Sequence, residues 1–226
     1  LLSSYTELRS SGIEVDARER LDQISVVFLD TGDLFPETHA YINYLSTTLD
    51  LPIERYRHGL TPDEFKQNVT LLRDSGLSEG DAFDELTKVR PIRQIIEDLG
   101  VKVWISGIRR DQSLSRREIP FAEVKNGIIK VYPLADVTNQ RAAQMLEERS
   151  LTRHPLAHLY RSIGNRQDTR PSSEGHEKSG RHHGEKEECG LHLGWIKHGK
   201  TLIYRGESLI PATKFPLVQN RIIPGA

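Results

Sequence analysis

Cysteine, long apolar runs and net charge are all nearly missing from this chain of 226 residues. Cys189 is the one cysteine. It excludes an intrachain disulfide, and alone it cannot hold an iron–sulfur cluster or a cysteine-rich zinc site. No apolar run approaches the roughly 20 residues that cross a bilayer. No basic stretch followed by an apolar one opens the chain as an export signal would. One cysteine and no export signal point to the reducing cytoplasm. The formal net charge is -1. Whole-molecule electrostatics therefore favours neither nucleic acid nor membrane, and an anion site must be a local cluster.

What is present reads as an α/β alternation. The segment 1–8 reads as a helix broken near Gly12. The β-branched run Ile24 to Leu29 reads as a fully buried strand of a mostly parallel sheet. It ends in Asp30-Thr31-Gly32. Ligands of open α/β sheets bind at strand carboxyl ends, so this turn is a candidate site; the plainer alternative is an Asp that caps the next helix. Pro36 opens a helix to about Leu49. Pro52 to Tyr56 reads as a strand, Thr61-Pro62-Asp63-Glu64 as a helix start and Gly76 to Gly80 as a loop. Lys88 stands just before Pro91 and a helix from Ile92 to Leu99 that stops at Gly100. Val101 to Ile105 and Ile128 to Leu134 read as further strands, and Asp136 and Thr138 precede a helix containing Met145 and Leu146. From Gly164 to Gly190 the apolar residues thin out, which reads as a mobile loop or a folded-over tail. Trp195 to Lys197 and Thr201 to Tyr204 read as a hairpin turning at His198-Gly199-Lys200. Ile222-Ile223-Pro224 has no readable role.

Two stretches carry chemistry. The first follows the third strand: Ser106-Gly107-Ile108-Arg109-Arg110-Asp111-Gln112-Ser113-Leu114-Ser115-Arg116-Arg117. Guanidinium forks match phosphate and sulfate oxygens, and Gly107 allows close backbone approach. Taken alone, the cluster reads equally as a solvated face. The second is Glu188-Cys189-Gly190-Leu191-His192. A thiol near Lys186, Arg181 and several histidines is a candidate nucleophile, because nearby cations favour the thiolate. Glu187 and Glu188 pull the other way.

Several stretches in order resemble one family: Val27 to Gly32 with Leu34 to Thr38; Lys88-Val89-Arg90-Pro91; Trp104 to Ser113 with Arg116; Lys130 to Leu134; His154-Pro155-Leu156; Ser162-Ile163-Gly164; and Glu188 to His192. Together they resemble the phosphoadenylyl-sulfate (PAPS) and adenylyl-sulfate (APS) reductases, over about residues 24–193. The resemblance implies an adenine nucleotide α-hydrolase-like fold of the PP-loop superfamily with a C-terminal catalytic tail. It implies that Cys189 attacks the sulfur of the activated sulfate to give an S-sulfocysteine, and that thioredoxin or glutaredoxin then releases sulfite. The implied substrate-binding residues are Leu29, Asp30, Thr31, Gly32, Lys88, Gly107, Arg109, Arg110, Arg116, Lys178, Arg181 and His192. Lys178 stands where the family usually carries arginine, and Asn165 where cluster-free members more often carry aspartate. Cluster-bearing members use two Cys-Cys pairs; with Cys189 alone, no iron–sulfur cluster, no metal and no other cofactor is expected, and PAPS is the expected substrate. The family's Ser/Gly-rich phosphate loop has no counterpart, since Arg9-Ser10-Ser11-Gly12 lacks its context. The chain therefore reads as a fragment that starts at the helix following that loop.

The implied division is a nucleotide-binding domain over 1–163, a mobile catalytic segment over 164–193 and a C-terminal extension over 194–226. Nucleic acid and membrane are not expected partners, and a homodimer is allowed. Three other readings remain: a metal site from His182, His183, Cys189 and His192, an inactive nucleotide-binding module on the same fold, and an enzyme of the same kind acting on APS.

Overall fold

The computed structural model describes residues 24–171, 202–205, 208–211 and 215–224. Among these, the strands are β1 (Val26–Leu29), β2 (Ile53–His58), β3 (Val103–Ile105), β4 (Ala122–Lys125), β5 (Ile128–Val131), β6 (Leu202–Arg205), β7 (Ser208–Pro211) and β8 (Leu217–Ile222). The helices are α1 (Pro36–Leu49), α2 (Pro62–Asp74), α3 (Glu79–Asp84), α4 (Arg90–Asp98) and α5 (Asn139–Glu148), with a π-helical turn, Glu85–Val89, joining α3 to α4. The strands form two mixed three-stranded sheets, ordered β1-β2-β8 and β3-β5-β4, and a β6-β7 pair. In each three-stranded sheet one pair is parallel and the other antiparallel. This is the expected α/β class, with sheets flanked by helices.

Local sequence explains the helix starts. Thr61 and Glu64 make a reciprocal cap ahead of α2: Glu64 N–H donates to Thr61 Oγ1 (3.3 Å) and Thr61 N–H to Glu64 Oε2 (2.9 Å). Ser78 caps α3 by accepting from Asp81 N (3.1 Å). The expected loop therefore ends earlier, and Gly80 lies in a helix. The helix expected after Lys88 likewise continues one that starts at Glu79. Pro91 has no N–H and its ring crowds the preceding turn, so a widened π turn directly ahead of it lets the helix pass through. Lys88 is carried on that turn.

The main apolar core joins Leu60, Leu72, Ala82, Leu86 and Phe215. Burying each of its large side chains contributes about 1.5–3 kcal/mol. Phe215 brings the C-terminal end of the chain into this core. β8 then pairs with β2 from Ile53↔Ile222 to His58↔Leu217, so the stretch around Ile222 is a strand of the first sheet. A second cluster joins Ile108, Tyr132 and Ala135 beneath the second sheet.

Other parts of the chain differ from or add to the expectations. β1 is half-buried along its length, not fully buried, because among the described residues it pairs with β2 alone. β4 was not expected; it pairs with β5 across Asn126-Gly127, which take φ 54° and 78°, the backbone that a two-residue hairpin turn requires. Leu202–Arg205 pairs with Ser208–Pro211; Trp195 to Lys197 of the expected hairpin lie outside the described residues. Asn165 and Thr169 are buried and Leu34 bridges to Asn165, so the start of the segment taken as mobile is folded onto the domain. The stretch 1–8 and Gly12 lie outside the described residues.

Candidate active site

The end of β1 is a closed polar knot. Asp30 N–H donates to Tyr56 O (2.8 Å), which binds the carboxyl ends of β1 and β2 together. Asp30 Oδ1 accepts from Gly32 N (2.9 Å), so the carboxylate caps its own turn. It does not cap α1, whose N-cap residue is Phe35. Gly32 sits at φ 81°, a conformation that a side chain would strain. Thr31 Oγ1 donates to Asn165 Oδ1 (2.7 Å), and Asn165 Nδ2 donates to Asp168 Oδ2 (3.1 Å). Asp33 holds Arg166 Nε at 3.3 Å and accepts from Gln167 N at 3.1 Å. Asp30, Thr31, Asp33 and Asn165 are all buried, and burial without partners would cost free energy for each of them.

The end of β3 is built differently. Gly107 is exposed there, and a Cβ on it would meet Leu134 at 3.8 Å. Arg109 is buried, with Nε on Asp111 Oδ1 (3.1 Å) and its N–H donating to Gln112 Oε1 (3.0 Å). Arg116 is buried and reaches the same Gln112 Oε1. Arg110 turns elsewhere: Nε donates to Ile119 O (2.8 Å), Nη1 meets Asp136, and the guanidinium lies 4.9 Å over the Phe121 ring. The expected bed of three arginines is thus divided, with Arg109 and Arg116 meeting at Gln112 and Arg110 serving the approach to β4.

Arg109 opens onto a cleft of about 710 Å³ whose walls include Arg153, His154, Tyr160, Arg161 and Ser162. None of these five was among the expected site residues. For His154 and Ser162 the signal was the His154-Pro155-Leu156 and Ser162-Ile163-Gly164 stretches, which carried the resemblance without being given a role. His154 Nδ1 accepts from Leu156 N (3.1 Å), which leaves the proton on Nε2 to donate to Thr38 Oγ1 (3.0 Å). Burial holds its pKa below the usual histidine value, against the opposing pull of Glu37. A neutral histidine therefore ties the cleft to the first turn of α1, a few residues past the β1 knot.

Lys88 is buried on the π turn, with its ammonium on Asp84 Oδ1 one turn back. Arg90 follows, paired with Glu85 at 3.1 Å. Burial lowers the Arg90 pKa and Glu85 opposes that shift. Leu29 is half-buried in β1. Cys189, Lys178, Arg181 and His192 lie outside the described residues, as do His182 and His183 of the alternative metal site.

Comparison with known proteins gives the family. Residues 15–171 match the family model of the phosphoadenosine phosphosulfate reductase domain. A phosphoadenosine 5'-phosphosulfate reductase of Erwinia tasmaniensis is 35% identical over 194 residues, covering 85% of this chain and 79% of its own. One of Salmonella typhi is 36% identical over 173 residues, covering 76% and 71%. The crystal structure of a PAPS reductase from Candida auris, a phosphate complex, superposes with a TM-score of 0.51 at 28% identity, over 64% of this chain and 70% of that one. The fold is accordingly the adenine nucleotide α-hydrolase-like one, and the chain belongs to the phosphoadenosine phosphosulfate reductase family.

Proposed function

We propose that this chain is a thioredoxin-dependent oxidoreductase. It reduces 3'-phosphoadenylyl sulfate to sulfite and adenosine 3',5'-bisphosphate, as a step of assimilatory sulfate reduction in the cytoplasm. The observation that carries the reading is the identity of 34–36% with relatives that each bear that enzyme's name, over 76–86% of this chain. Their name favours PAPS over APS.

The chemistry assigns roles to residues. The Cys189 thiolate attacks the sulfonate sulfur. The bond from that sulfur to the bridging phosphate oxygen breaks, and the nucleotide leaves with the electron pair. A thioredoxin thiolate then attacks Cys189 Sγ, and sulfite leaves. The second thioredoxin thiol resolves the mixed disulfide, freeing Cys189 and oxidising thioredoxin. Both the leaving nucleotide and the transferring group are anionic, so fixed cations belong where charge builds up. Arg109 and Arg116 at the β3 end, Lys88 on the π turn, and Lys178 and Arg181 near the thiol fill that role. Gly107 and the Leu29 to Gly32 turn give the nucleotide close backbone approach, and His192 follows the thiol in its motif. Arg110 acts by fixing the loop that carries Arg109. With one cysteine in the chain, the mechanism uses no iron–sulfur cluster.

The segment carrying Cys189 starts from Asn165 and Thr169, which are fastened to the β1 knot. Cys189 is eighteen residues beyond Pro171, a reach of up to roughly 60 Å when extended, enough for the thiol to meet a substrate at either strand end.

The test is sulfite release with reduced thioredoxin, comparing PAPS with APS, for the parent chain and Cys189→Ser. Release from PAPS that disappears in the serine variant is expected, together with a mass gain of about 80 Da on Cys189 when thioredoxin is omitted. Turnover by the serine variant would overturn the proposal.

A further inference from the structure

We infer that Arg57, at the end of β2, recognises the substrate's 3'-phosphate and so sets the preference for PAPS over APS. The inference rests on the reading just given.

β1 and β2 run parallel, with Leu29 opposite Tyr56, and the Asp30–Tyr56 bond closes their carboxyl ends. Arg57 therefore emerges at the same edge as Asp30, Thr31 and Gly32, where α/β sheets bind ligands. Its guanidinium lies across Gly32. A Cβ built on Gly32 would stand 2.8 Å from Arg57 Nη2 and 3.2 Å from Cζ, so any side chain at position 32 would displace the group. The glycine thus both permits the left-handed turn and leaves room for a cation above it.

That cation is placed unlike the other strand-end arginines. Arg109, Arg110 and Arg116 each meet an internal acceptor: Asp111, Asp136 and Gln112. Arg57 is exposed and, among the described residues, ion-pairs with no carboxylate. Its neighbour His58 has a buried Nδ1 with no hydrogen-bond partner among the described residues, and the His58 pKa is lowered first by burial and then by the Arg57 charge, against the opposing pull of Asp30. Arg57 is thus a cation at an edge where the Asp30 carboxylate is turned onto its own backbone at Gly32.

The two candidate substrates differ by one phosphate on the ribose. That phosphate needs a cation beyond those serving the phosphosulfate group, which the proposed mechanism draws from the β3 end, the π turn and the segment around Cys189. Arg57 is on β2 and is not among the residues which that mechanism assigns to the phosphosulfate group, and it lies across a turn expected to hold the nucleoside. A guanidinium fork there matches a terminal phosphate, and charge-assisted bonds of this kind set discrimination rather than turnover.

The experiment measures binding of adenosine 3',5'-bisphosphate and of AMP to the full chain by calorimetry. It also measures kcat and KM for PAPS and APS, using the parent, Arg57→Gln and Arg57→Lys. The parent is expected to prefer the bisphosphate. Arg57→Gln should shrink that preference about 10- to 100-fold, through KM for PAPS rather than kcat, and Arg57→Lys should restore part of it. A preference that survives in Arg57→Gln, an equal loss on both ligands, or a parent without preference would each overturn the inference. A parent that binds both nucleotides yet releases sulfite from neither substrate would overturn the functional reading instead, leaving the binding arm to decide on Arg57.

Discussion

The two sheets bury opposite kinds of surface. At the end of β1, Asp30, Thr31, Asp33 and Asn165 are between 1% and 7% exposed and bonded to one another or to nearby backbone. On the second sheet, one face leaves Val103, Ile129 and Val124 at 49%, 45% and 77% exposure, aligned in register as neighbours. Its opposite face holds Lys130 under Trp104 at 4.5 Å and Tyr132 donating to Glu123 at 2.6 Å. The contrast teaches where stability and chemistry sit. Polar groups at the β1 end are held by mutual bonds, so losing one strands the others. Apolar groups on the open face of the second sheet have less to lose, since water already reaches them.

The sharpest break of this contrast is Lys88→Ala. Removing one member of the buried Lys88–Asp84 pair leaves a carboxylate without its cation and should cost about 3–5 kcal/mol, read as a fall in the urea midpoint. Leu86→Ala, at a fully buried position, should cost about 2–5 kcal/mol by the same measurement. Asn165→Ala comes next, at about 1–3 kcal/mol, because it removes the acceptor of the buried Thr31 hydroxyl and the amide that donates to Asp168. Asn165→Asp should also destabilise: it would face the Asp168 carboxylate now served by Asn165 Nδ2. Adding Asp168→Asn should recover much of the loss by reversing that bond. Recovery would show that Asn165 and Asp168 act as a pair; no recovery would refute the pairing.

Acid should act more mildly. His58 and His154 both have pKa values lowered from 6.5, with burial the largest cause. The unfolded chain then binds their protons more readily than the folded one. Their stabilising contribution is complete above pH 6.5 and is lost as pH falls below it toward the folded values. Urea midpoints at pH 7.5 and 5.5 should show the decline, and His58→Asn and His154→Asn should each flatten it. The smallest effect is expected on the open face of the second sheet, where Val124→Thr should stay within about 0.5 kcal/mol. A large loss there would show that this face is covered in solution.

Much of this was legible from residue order. Period, Pro36, the Thr61–Glu64 cap and Gly100 placed the helices, because these signals act within a few residues. The strand-end turn and the arginine stretch were visible as motifs for the same reason. The split of the arginines was not legible, since Asp136 and Phe121, which draw Arg110 away, are distant in sequence and carry no motif. β8 was missed because its place depends on β2, more than 150 residues earlier. The Asn126-Gly127 signal for β4 was present and went unread, a local cue passed over rather than a tertiary effect.

By itself, the sequence determined the family, the lone thiol and the alternation of elements, all of which rest on residue identity and short-range geometry. Only the tertiary structure decided which cations share a cleft, that Asn165 closes the β1 turn, and that Gly32 makes room for Arg57. Those facts depend on which side chains meet once the strands align, and no local preference encodes that meeting.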